Sequence, residues 1–109
     1  MVEPLRFLGR SGSPSGGCPA LYETDPDSFL IVGWLTDSGA TVEIPHVLLG
    51  FAEHDLFIGV PLTDTGRGTF TVSGRQVTDV ETLAVLKLEE NETAIVVPRR
   101  KRTYFGAAA

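Results

Sequence analysis

The sequence predicts a mainly β fold with one short helix, and three observations carry the prediction. The apolar runs are short, rich in β-branched and aromatic residues, and closed by Gly, Pro or Asx. Residues 40–44 and 68–74 alternate apolar and polar side chains with the period of a strand. Only one stretch shows helical spacing behind a capping signal.

In chain order, Leu5, Phe7 and Leu8 make a short first strand. Residues 9–17, Gly-Arg-Ser-Gly-Ser-Pro-Ser-Gly-Gly, contain nothing that packs and read as a flexible loop. Ala20-Leu21-Tyr22 is the next strand, ended by the turn formers Asp25-Pro26-Asp27. Phe29-Leu30-Ile31-Val32 is apolar at every position and stops at Gly33, which reads as a strand covered on both faces. The alternating run Ala40-Thr41-Val42-Glu43-Ile44 ends at Pro45. Residues 46–53 hold Val47, Leu48, Leu49 and Phe51 and suit one or two helical turns. Leu56-Phe57-Ile58-Gly59-Val60 is another strand, and Phe70 and Val72 share one face of the strand after it. The helix follows: Thr78 is the expected cap, Glu81 completes a capping box, and Val80, Leu83 and Ala84 recur at helical spacing. Residues 93–97 form the last strand, closed by Pro98. The tail 106–109 has nothing to hold it and is expected to fray.

The sequence also repeats itself. Leu21, Thr24, Phe29 and Gly33 recur 41 positions later as Leu62, Thr65, Phe70 and Gly74. Residues 40–45 parallel residues 93–98 at an offset of 53, and the extra residues of the second copy fall at the helix. One domain over residues 1–109 is expected, with repeat units at about 18–51 and 56–105. They would pack as a small sheet or barrel with pseudo-twofold symmetry. Chance similarity among short β-rich segments is the alternative. A strand apolar on both faces in so small a chain also points to a homodimer that covers one of them.

Composition excludes several classes. Hydrophobic residues make up 42% and charged ones 21% of the 109 residues, a globular rather than a disordered balance. No run approaches the ~18–20 apolar residues of a membrane span, and the first residues lack a signal-peptide core. A cytoplasmic protein with no membrane partner is therefore expected. Fourteen acidic against nine basic residues give a net charge of −5, so the body is not a generic nucleic-acid binder. A single cysteine excludes an internal disulfide framework and a Cys-rich zinc site.

Cys18-Pro19-Ala20-Leu21-Tyr22-Glu23-Thr24-Asp25, the run Phe29 to Val32, and Gly33-Trp34 resemble the opening of a family of small uncharacterised actinobacterial proteins. Later elements of that pattern match Val77-Thr78-Asp79-Val80-Glu81-Thr82-Leu83 and Glu92-Thr93-Ala94-Ile95-Val96-Val97-Pro98, so the likeness covers residues 18–37 and 69–98. Here the pattern is split between two copies, and the first is shortened after Asp37. Members of that family are often encoded beside helix-turn-helix regulators, so the resemblance implies a part in regulation. It carries over no catalytic residues.

Candidate chemistry is sparse. A catalytic thiol at Cys18 needs a histidine base, and nothing in the sequence brings His46 or His54 to it. Cys18 is read as an incidental free thiol, with a dimer-linking disulfide as the alternative. His46, Glu53, His54 and Asp55 carry ligand types without a metal-binding spacing, so a solvated polar loop is the reading. The Gly-rich loop has no Lys and no helix behind it, unlike a phosphate cradle. No catalytic residue, metal ligand or cofactor is assigned, and an enzyme is not expected.

The sharpest charge feature is Arg99-Arg100-Lys101-Arg102, four of the nine basic residues, followed by Tyr104 and Phe105. Such a segment suits phosphates and stacked bases, an acidic protein partner, or the acidic body of a neighbouring copy. Its plain reading is a solvated cluster that blunts a strand edge. Trp34 is either buried core or an exposed anchor. The expected function is a non-enzymatic protein-interaction module, an accessory protein in bacterial transcriptional or developmental regulation. Its partner would be a protein such as a transcriptional regulator, met by Trp34 and the segment from Arg99 to Phe105. Nucleic-acid binding through that segment and small-molecule binding between the repeats are the alternatives.

Overall fold

A computed structural model describes residues 5–11, 19–24 and 27–103. The chain is mainly β with one short α-helix. In order come β1 (Leu5–Arg10), β2 (Ala20–Thr24), β3 (Ser28–Leu35), β4 (Thr41–Pro45), a 3-10 helix (His46–Phe51), β5 (Leu56–Ile58) and β6 (Thr63–Asp64). Then follow β7 (Thr69–Ser73), β8 (Arg75–Gln76), α1 (Val80–Leu86) and β9 (Glu92–Lys101). Gly9 and Arg10 belong to β1 rather than to the loop expected over 9–17. Cys18, most of that loop, Tyr104, Phe105 and the tail 106–109 lie outside the described residues.

All described strand pairs are antiparallel. The pairing closes a ring: β3 meets β4, β4 meets β7, β8 continues from β7 past Gly74 to meet β9, and β9 returns to β3. β1 and β2 extend the sheet from β3, and β6 extends it from β7. β5 pairs with the far end of β9.

Several strand pairs are spaced by 41 and 53 residues. The β2–β3 pairs Glu23–Phe29 and Tyr22–Leu30 become, 41 residues on, Asp64–Phe70 and Thr63–Thr71 of β6–β7. Trp34–Glu43 and Leu35–Val42 of β3–β4 become Arg75–Val96 and Gln76–Ile95 of β8–β9. The β3–β9 pairs from Ser28–Pro98 to Val32–Ala94 become the β4–β7 pairs from Pro45–Thr69 to Thr41–Ser73.

Glycine at two of these matched positions lets strands cross. A Cβ on Gly33 would lie 2.9 Å from the Glu43 carbonyl oxygen and 2.8 Å from Val42 Cβ. A Cβ on Gly74 would lie 2.5 Å from the Val96 carbonyl oxygen. Backbone on the far side cannot yield, so both sites exclude a side chain.

β3 is buried along both faces, as its unbroken apolar run predicts. Alternation sends Phe29 and Ile31 into one core with Leu21, Val42, Ile44, Leu48, Val72, Ile95 and Val97. Leu30 and Val32 enter a second core with Ala20, Val77, Leu86 and Ala94. Helix α1 lies over this second core. One chain therefore covers both faces of β3, and its apolar run no longer calls for a second copy.

Two local expectations fail. The cap of α1 is Asp79 rather than Thr78: its Oδ2 accepts the Thr82 backbone N–H at 2.9 Å and the Thr82 hydroxyl at 2.7 Å. The Thr82 hydroxyl and then its N–H hold the Asp79 carboxyl below its usual range. The buried side of α1 is Thr82 and Leu86 with Leu83 beside them, whereas Val80 is exposed. The second failure is at Pro98, which does not end the last strand. It sits where β9 changes partner, between Val96 opposite β8 and Arg99 opposite β5. The Pro98 carbonyl accepts the Gly59 N–H at 2.8 Å, and the Arg99 N–H donates to the Asp27 carbonyl at 2.7 Å, so pairing continues on both sides of the proline.

Candidate recognition surface

The basic run is the last part of β9, and strand alternation divides it. Arg100 stands opposite Phe57, Arg99 opposite Ile58 and Lys101 opposite Leu56. Arg100, Arg102 and Phe57 therefore share the outward face of the β5–β9 ribbon. Phe57 is exposed, and the Arg102 guanidinium carbon lies 5.5 Å from its ring centroid, within cation–π range. The stem of Arg100 crosses Gly59, where a side chain would leave it no room. The Arg102 N–H donates to the Asp55 carbonyl at 2.6 Å and its Nε to the His54 carbonyl at 3.2 Å, which fixes the end of the ribbon. Lys101, opposite Leu56, falls on the other face by the same alternation and is exposed.

Arg99 turns the other way. Its side chain is only 14% exposed and lies 3.6 Å from Glu23 and 3.8 Å from Asp27. Nη1 donates to the Ser28 and Thr24 carbonyls at 3.2 and 3.4 Å, and the guanidinium carbon lies 5.9 Å from the Phe29 ring centroid. This is a structural tie between β9 and the β2–β3 turn. The matched position in the first half, His46, repeats it: Nε2 lies 3.5 Å from Asp64 and 3.2 Å from the Thr69 carbonyl, and the ring lies 4.1 Å from that of Phe70. Asp64, Thr69 and Phe70 stand 41 residues beyond Glu23, Ser28 and Phe29.

Trp34 does not join this surface. It is half-buried opposite Glu43 and Glu92, at the start of β9. Arg100 lies eight positions beyond Glu92, about 26 Å along the strand. The sequence reading grouped residues that the strand holds apart, and it missed Phe57, which looks like core within Leu56-Phe57-Ile58. Only its register opposite Arg100 reveals it.

The remaining polar candidates are tied up singly. Arg6 bridges Glu23 and Glu53, each at 3.2 Å. Glu43 accepts the Thr69 hydroxyl at 2.6 Å and Arg67 Nη2 at 3.0 Å. The Thr69 hydroxyl, with Arg67 adding to it, holds the Glu43 carboxyl below its usual range. Among the described residues no three His, Cys, Asp or Glu side chains converge as a metal site, and no helix is long and apolar enough to cross a membrane.

Fold and surface together define a mainly antiparallel β protein with a small cationic–aromatic ribbon beside its ring of strands. No protein-family model matches the chain, and neither a curated protein nor a solved structure does.

Proposed function

We propose that this chain is a non-enzymatic interaction module, an accessory protein in bacterial regulation, that binds an acidic protein segment through Phe57, Arg100, Lys101 and Arg102. The observation that carries the reading is the exposed Phe57 ring, with the Arg102 guanidinium over it and Arg100 opposite it in the register of the β5–β9 ribbon. Aromatic and arginine side chains are the types that dominate binding energy at protein interfaces. Residues 1–98 hold all fourteen acidic residues and only five basic ones. Acidic residues border the ribbon, the Asp55 carbonyl accepting from the Arg102 N–H and Asp27 lying 3.8 Å from Arg99, and their charge repels a long polyanion more than a short acidic segment. The link to regulation rests on the resemblance of residues 18–37 and 69–98. We also read the two halves as copies of one β module about a pseudo-twofold axis, which the matched registers and the matched Arg99 and His46 clusters support.

The test is fluorescence anisotropy with a labelled poly-glutamate peptide and a single-stranded oligonucleotide of equal charge, each titrated at several salt concentrations. The reading expects the peptide to bind more tightly. Phe57→Ala should weaken it about tenfold, and joint Arg100→Gln, Lys101→Gln and Arg102→Gln should abolish it. Tighter oligonucleotide binding with a steep salt slope would favour a nucleic-acid partner instead. Binding of neither probe at low salt would overturn the reading.

A further inference from the structure

We infer that Thr103 is a phosphorylation site for a protein kinase that selects basic residues before its acceptor, and that the phosphate switches off the β5–β9 ribbon. Thr103 is exposed and directly follows Arg102. Arg100 and Lys101 stand three and two positions before it, and both are exposed. A kinase that reads cations in an extended substrate needs side chains available at those positions, and β9 already presents them in extended form. The Arg99 side chain, four positions before, is held among Glu23, Asp27 and the Thr24 and Ser28 carbonyls, so recognition draws on Arg100 and Lys101. The ladder to β3 ends at the Ser28–Pro98 pair and the Arg99 N–H bond to Asp27, so among the described residues β5 alone pairs the strand from Arg100 onward. That end of β9 has an open edge for a kinase cleft.

In the reaction the Thr103 hydroxyl oxygen attacks the γ-phosphorus of ATP. The new oxygen–phosphorus bond replaces the bond to the β,γ-bridging oxygen, ADP leaves, and the hydroxyl proton passes to the kinase's base. The phosphate brings a charge of about −1.5 to −2 beside three cations. Its oxygens are strong acceptors for guanidinium groups, and they draw Arg102 away from the Phe57 ring. The ribbon loses both most of its positive charge and the cation over its aromatic ring.

The acceptor role stands independently of the proposed function, whereas the switching role rests on it. The experiment treats the full chain with ATP and the catalytic subunit of a basic-directed serine/threonine kinase, a control peptide substrate running alongside. Mass spectrometry should place one phosphate on Thr103. Thr103→Val should remove it, and Arg100→Gln with Lys101→Gln should slow its appearance at least tenfold. Phosphate on other residues only, or none on Thr103 once the control peptide is consumed, overturns the acceptor. The phosphorylated chain should bind the poly-glutamate probe about tenfold more weakly, and unmodified Thr103→Val should bind like the parent. Equal binding before and after phosphorylation overturns the switch. If the unmodified chain binds no acidic probe, the proposed function fails while the mass-spectrometric result still decides the acceptor.

Discussion

Glu43 concentrates several interactions at one residue. It stands opposite Trp34 on β3 and Thr71 on β7, accepts from Thr69 and Arg67, and offers its carbonyl to the crossing at Gly33. Its carboxyl is held below the ordinary glutamate range in the folded chain. The stability this contributes is complete above the unfolded value and drains away as the pH falls through the lower folded value. Urea midpoints measured from neutral to acid pH should fall more steeply for the parent than for Glu43→Gln. Equal slopes would remove Glu43 from the account of acid sensitivity. Gly33→Ala forces a Cβ against backbone and should cost ~1–3 kcal/mol in equilibrium unfolding, the usual penalty of overpacking. Gly74→Ala should cost a similar amount, because the Val96 carbonyl stands where the Glu43 carbonyl stands for Gly33.

Among the elements, α1 does the work that a second chain was expected to do. It roofs the Leu30–Val32 face of β3 through Leu86 and Thr82, and Leu86→Ala should cost ~2–5 kcal/mol through the cavity it leaves. Asp79→Ala should lower the thermal midpoint by removing the acceptor of both Thr82 donors, whereas Thr78→Ala should leave it nearly unchanged. The strands themselves were legible because short alternating or unbroken apolar runs between Gly, Pro and Asx have few other solutions. The helix was legible too, but its cap and buried side were not. Asp79 and Thr78 are adjacent cap formers, and the side that packs depends on where β3 and β9 lie. Pro98 misled for a related reason. A proline stops a strand only where its N–H is needed, and that depends on which neighbours pair on either side. The basic run was plain in the sequence. Its division into an inward Arg99 and an outward Arg100 and Arg102 follows from strand alternation, which could be applied only once residues 99–101 were known to be strand.

For the molecule as a whole, the ring of strands and the ribbon share β9. Charge is distributed to match: acidic residues fill the body, and four of the nine basic residues collect at one end of this strand. Probe binding to the ribbon should therefore weaken with added salt, yet less steeply than for a protein that covers many phosphates, since only Arg100, Lys101 and Arg102 are available. A slope no different after their joint substitution would dissociate the ribbon from recognition. β9 has a second consequence. From Glu92 to Val97 it is flanked by β3, with β8 opposite Ile95 and Val96, so its inner amides are freed only when the ring comes apart. Beyond Arg99, which is tied to the β2–β3 turn, it answers chiefly to three-residue β5. Deuterium should then enter the two parts of this one strand at rates orders of magnitude apart, slow up to Arg99 and fast from Arg100 onward. Such a split would mark the basic end as the part of β9 that opens while the ring of strands stays paired.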